Sequence, residues 1–92
     1  MTQQEAMELL KAEGYEKVFL VEQPANMDMG EHTHDEHTVH LILRGELSLT
    51  EHGKVETVRA GDRIEFPAGT THHAICGTEG LVMVAGWGKK ET

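Results

Sequence analysis

From Arg44 onward the sequence is cut by a turn signal every few residues: Arg44-Gly45, His52-Gly53, Ala60-Gly61-Asp62, Pro67-Ala68-Gly69 and Gly77-Thr78-Glu79-Gly80. Glycine and proline at this frequency leave no room for helices between them, because each interrupts the run of hydrogen bonds a helix needs. The intervening segments are short and read as strands, at 38–44, 46–51, 54–59, 62–66, 71–76 and 80–86. Upstream, Tyr15 to Glu22 carries Val18, Phe19, Leu20 and Val21 in one apolar run, the pattern of a strand covered on both faces, and Pro24-Ala25-Asn26 ends it. Six or seven strands with turns between them predict an all-β sandwich or barrel, since βαβ units need intervening helices. One helix precedes them. Thr2-Gln3-Gln4-Glu5 fits a capping box, Ala6, Leu9 and Leu10 recur at helical spacing, and Gly14 offers the stop, which predicts a helix over 3–13. Gly88 to Thr92 reads as a frayed tail.

Ninety-two residues allow one domain and one small core, with the barrel expected over 15–87. Sixteen acidic residues against eight basic ones give a formal charge of −8, the wrong sign for a nucleic-acid or anionic-membrane partner. No apolar run approaches the ~20 residues of a spanning helix, and the N-terminus is too polar for a secretory leader, so the expected location is cytoplasmic. Cys76 is the single cysteine, which excludes a disulfide framework and any zinc site built on cysteine pairs.

Histidine is the unusual residue. Four of the seven fall within nine positions, at His32, His34, His37 and His40. Residues i and i+2 of a strand share a face, so His32 and His34 can aim two neutral imidazoles at one ion. A third ligand must come from elsewhere, and the other histidine-bearing segment with a rigid approach is Pro67-Ala68-Gly69-Thr70-Thr71-His72-His73. Alternation sends His72, Ala74 and Cys76 to one face and His73 and Ile75 to the other. His52 and His73 are accordingly read as an exposed turn residue and an outward-facing strand residue.

These two segments resemble the paired motifs of the cupin superfamily. The first motif is matched by His32-x-His34 with a closing glycine at Gly45, and the second by Gly61, Pro67-x-Gly69 and His72. Three positions depart from it. The opening glycine, Gly30, stands only two residues before His32, Thr38 occupies the place of the usual glutamate ligand, and Cys76 that of the asparagine. The resemblance implies a double-sheet jelly-roll barrel, a homodimer, and one divalent transition metal (zinc, iron, manganese, nickel or copper) held by His32, His34 and His72. For the fourth ligand a one-residue bulge would bring His37 into line, while His40, which shares strand parity with Thr38, is the rival.

Around such a site Thr38, His40, Cys76 and Arg63 are candidates to line the cavity. Asp35 and Glu36 could orient imidazole N–H groups. Met27 and Met29 could line the mouth, Trp87 could cover an open barrel end, and Arg44, Arg59 or Arg63 could meet an anionic guest. No nucleophile–base arrangement competes with the metal, so the implied activity is metal-dependent, dioxygenase-type oxidation or isomerisation of a small molecule. The alternative is a non-catalytic module that binds or senses a metal or metabolite.

Overall fold

The computed structural model describes residues 1–89 of the chain. It begins with helix α1, Gln3–Ala12, whose capping box forms as expected: the Thr2 hydroxyl accepts from the Glu5 backbone N–H at 3.1 Å, and the Glu5 carboxylate accepts from the Thr2 N–H at 2.8 Å. Glu13 caps the C-terminus and Gly14 takes φ of 98° to release the chain into the first strand.

Six strands follow: β1 Tyr15–Gln23, β2 Asp28–Thr33, β3 Thr38–Glu51, β4 Lys54–Arg59, β5 Arg63–Phe66 and β6 Thr71–Lys89. All their pairings are antiparallel. The two long strands, β3 and β6, run side by side through both layers of the barrel. Their first layer pairs residues 38–45 of β3 with 81–87 of β6, flanked by β5 and β1. Their second pairs residues 47–50 of β3 with 73–76 of β6, flanked by β4 and β2. The barrel core joins the layers: Ile42, Phe66, Leu81 and Met83 from the first pack with Leu47, Leu49, Val58, Ala74 and Cys76 from the second. This is the all-β jelly-roll architecture with one short N-terminal helix.

The strands at 38–44 and 46–51 are thus one strand, as are those at 71–76 and 80–86, and neither Gly45 nor the Gly77–Gly80 segment ends its ladder. Gly45 (φ 83°) and Gly80 (φ 77°) lie where the pairing shifts register between the layers. A β-carbon on Gly45 would run into the Gly80 carbonyl oxygen, so this corner requires glycine for both conformation and space. The last strand also runs on through Trp87 and Gly88 to Lys89, which corrects the tail reading there; positions 90–92 lie outside the described residues.

Helix α1 packs on the outside of the first layer. Ala6 and Leu10, both fully buried, meet Tyr15, Val39, Leu41 and Val84 in a second, smaller core. Side chains of β3 alternate between the two cores, Val39 and Leu41 facing the helix and Ile42 the barrel, and that alternation decides where each histidine of this region goes.

Candidate metal centre

His32 sits on β2 and His34 just past its end, and β2 pairs with β6 so that His32 lies directly opposite His72. The register brings the two motif segments together. Ring centres of His32 and His34 are 6.0 Å apart, those of His32 and His72 6.0 Å, and those of His34 and His72 5.8 Å, a nearly equilateral triangle. His72 is buried, while His32 and His34 keep part of their surface in solvent. Phe66 stacks on the His72 ring at 3.9 Å with 9° between planes, which fixes that imidazole's orientation, and Trp87 leans on His34 at 4.6 Å.

Burial holds the His34 and His72 imidazoles below the usual histidine pKa, and the approach of the other rings lowers both further. At neutral pH they are unprotonated donors, the form that ligates metal. Among the described residues no three His, Cys, Asp or Glu side chains are gathered tightly enough to hold an ion as they stand. Nitrogens at ~2.1 Å from a shared ion put ring centres about 5–5.5 Å apart, less than the 5.8 to 6.0 Å found here, so binding would draw the three rings together. The buried His72 Nδ1 has no hydrogen-bond partner, nor has either nitrogen of His40, so the donor set and its unsatisfied nitrogens fit a transition-metal ion.

These rings line one end of a cavity of about 200 Å³ inside the barrel. His40 lines it as well, buried at 7% exposure with its ring edge-on to Phe66 at 5.7 Å. Desolvation, reinforced by His72 and His34, pushes its pKa down to about 4, so it is neutral at pH 7.

His37 does not join them. The ladder irregularity of β2 falls before His32, between Asp28 and Gly30; from His34 the chain reaches Thr38 through a bend, and the irregularities of β3 fall later, between Ile42 and Arg44 and between Gly45 and Leu47. His37 therefore stays outside the barrel, where its Nε2 donates to Glu65 Oε1 at 2.9 Å and its ring lies 6.1 Å from that of Tyr15.

Three other cavity candidates are also placed elsewhere. Arg63 points away, its guanidinium donating to both carboxylate oxygens of Glu13 at 2.8 and 2.6 Å and to Glu65 at 3.1 Å. Thr38 is fully buried beside the cavity without lining it, its hydroxyl unpartnered. Cys76 is packed into the barrel core, where burial pushes its thiol pKa up, the opposite of a reactive cysteine. Glu36 accepts from Lys17 at 3.1 Å rather than from an imidazole. His73 faces outward as expected and donates to Asp28 at 2.7 Å. Of the methionines named for the mouth, Met29 lines the cavity and Met27 does not. Trp87 and Phe66 are the site residues that sequence reasoning left vague or missed; pairing of Thr38 with both was the signal, and it is legible only once β3, β5 and β6 are in register.

The sequence pattern of the family described as "Cupin domain" matches residues 19–86. The chain is a cupin. Solved structures agree on the fold. An RmlC-like cupin from Shewanella frigidimarina superposes with a TM-score of 0.65 at 22% identity, over 82% of this chain and 69% of that one. A Cupin 2 conserved barrel domain protein from Salinispora arenicola gives 0.70 at 26% identity, over 78% and 61%. The DMSP lyase DddQ from Ruegeria pomeroyi gives 0.71 at 21% identity, over 80% of this chain and 38% of the lyase. This cupin domain thus spans between about two fifths and two thirds of their lengths. Comparison with curated proteins returns no match. Among the described residues no helix is long and apolar enough to cross a membrane.

Proposed function

We propose that this cupin domain binds one divalent transition metal on His32, His34 and His72 and uses it on a small molecule held in the barrel cavity. The observation that carries the reading is the triangle of imidazoles, 5.8 to 6.0 Å between ring centres, drawn from two stretches some forty residues apart in sequence. Three neutral nitrogen donors leave coordination positions open, and a metal bound there supplies Lewis acidity or redox chemistry at those positions. His40 takes the place left by His37 as the fourth imidazole of the cavity: neutral, buried and unpartnered, it can accept a hydrogen bond from a guest. Phe66 and Trp87 hold the orientation of His72 and His34. The activity proposed is dioxygenase-type oxidation or isomerisation.

A second reading, a module that binds without turnover, is favoured by one feature: among the described residues the four histidines are the only titratable side chains that line the cavity. Anaerobic reconstitution with iron(II), followed by oxygen-uptake and product assays over small 1,2-diones, thiols and catechols, separates the two. Turnover that needs both iron and His72 supports the enzyme. Stoichiometric iron with no turnover on any class supports the binding module.

A further inference from the structure

The geometry points to a neutral, mainly apolar guest of about seven to ten non-hydrogen atoms, bearing a single metal-binding head, as the ligand of the barrel cavity. This rests on the metal reading above and deepens it. The first argument is size. An engineered cavity of ~150 Å³ accommodates benzene, so about 200 Å³ encloses one ring or a branched short chain and could hold only part of a nucleotide or disaccharide.

The second argument is the wall. Among the described residues no Lys, Arg, Asp or Glu side chain lines the cavity, and apart from the imidazoles and the Trp87 indole the lining has no hydrogen-bonding side chain. A hydroxylated guest would bury each hydroxyl without a partner, at a cost of roughly tenfold to a hundredfold in affinity apiece. A carboxylated tail would meet no counter-charge. The arginines that could have supplied one lie outside: Arg63 is clamped by Glu13 and Glu65, Arg59 stands 3.6 Å from Glu46, and Arg44 lines a separate surface pocket with Glu22 and Glu79. Glu31, Asp35 and Glu36 flank the ligand histidines, and the formal charge of −8 adds to the repulsion of anions.

The third argument is polarity along the cavity. The imidazoles of His32, His34 and His72 gather within about 6 Å of one another, and Leu47, Leu49, Ala74 and Met83 form a buried apolar wall of the same cavity. A guest therefore lays its apolar part against the leucines and Met83, with its head among the imidazoles.

Two matched probes test this on the cobalt(II)-loaded protein. In 4-methylpentanohydroxamic acid and succinic monohydroxamate the chelating head and chain length are the same, and two terminal methyls of the first are replaced by carboxylate oxygens in the second. Titration followed by the cobalt absorption spectrum is expected to show the methyl-tailed probe binding at least tenfold more tightly. Equal affinity, or preference for the carboxylate, overturns the apolar-guest inference and leaves the metal reading standing. A second arm uses metal-free protein and toluene, followed through the methyl NMR signals of Met29 and Met83. Saturable shifts of both signals are expected, and support the inference even if cobalt is not taken up. No shift up to the solubility limit of toluene overturns it.

Discussion

Along β3, Val39 and Leu41 face α1 while His40 and Ile42 face the barrel, and the two sides treat their polar groups in opposite ways. On the helix side the polar groups have partners. The Tyr15 hydroxyl donates to Glu65 at 3.3 Å, Glu65 also accepts from His37 and Arg63, and Arg63 locks onto Glu13 at the end of the helix. On the barrel side the Thr38 hydroxyl, both nitrogens of His40, Nδ1 of His72 and the Trp87 indole nitrogen are buried without partners. Burying such atoms costs stability unless something satisfies them. The helix side thus pairs its polar groups within the protein, whereas the barrel side leaves its buried ones unpaired, as a ligand site would.

If that division holds, mutations on the two sides part company, and the largest effect belongs to the helix side. Leu10→Ala removes a fully buried side chain and is expected to lower unfolding free energy in urea by about 3–4 kcal/mol while metal stoichiometry at low temperature is unchanged. A parallel loss of metal would show that the two cores are not separable. Acid comes next. His40 is held neutral with its pKa at about 4 instead of the ordinary 6.5, so the unfolded chain takes up this proton first. Its contribution is full above pH 6.5 and declines as pH falls from there to 4, by up to about 3 kcal/mol in metal-free protein. Glu13 and Glu65, whose carboxyls are held below their ordinary value by Arg63 and His37 respectively, lose their contribution only below about pH 4.5. His40→Leu should therefore reduce the pH dependence of the urea-measured stability between pH 6.5 and 4.5, leaving the part that His34 and His72 contribute and the steeper fall below it.

The same variant carries a smaller effect of unusual sign. Replacing a buried imidazole that has two unpartnered nitrogens by a leucine of similar volume should stabilise the metal-free protein at pH 7 by about 1 kcal/mol. Destabilisation would mean that the His40 nitrogens have partners in solution. Smallest of all, Glu13→Gln weakens a partly exposed pair with Arg63 and should cost no more than about 1 kcal/mol in the same urea assay, with no effect on metal uptake.

The fold and much of the candidate site's geometry were legible in the chain because each rests on local rules. Turn residues delimited the strands, the capping box marked the helix, and the period of two gave the faces of His72 and His73 correctly. What escaped was set by contacts distant in sequence. Gly45 looked like a turn and is a corner because Gly80 packs against it, a contact between positions 35 residues apart. Arg63 looked free for an anion and is held by Glu13, fifty residues earlier. A one-residue bulge would bring His37 into line, whereas plain alternation from Thr38 puts His40 on the cavity side, where the structure has it. There the simpler local rule was the better guide.

The central claim is that imidazoles from β2 and β6 share one ion, and metal content of histidine variants tests it most directly. Protein purified after loading with zinc or iron(II) should carry close to one metal per chain, and His37→Ala and His73→Ala should retain it, since both rings point away from the cavity. His32→Ala, His34→Ala and His72→Ala should each fall to trace levels. Full metal in His72→Ala, or equal loss from His73→Ala, would contradict the account.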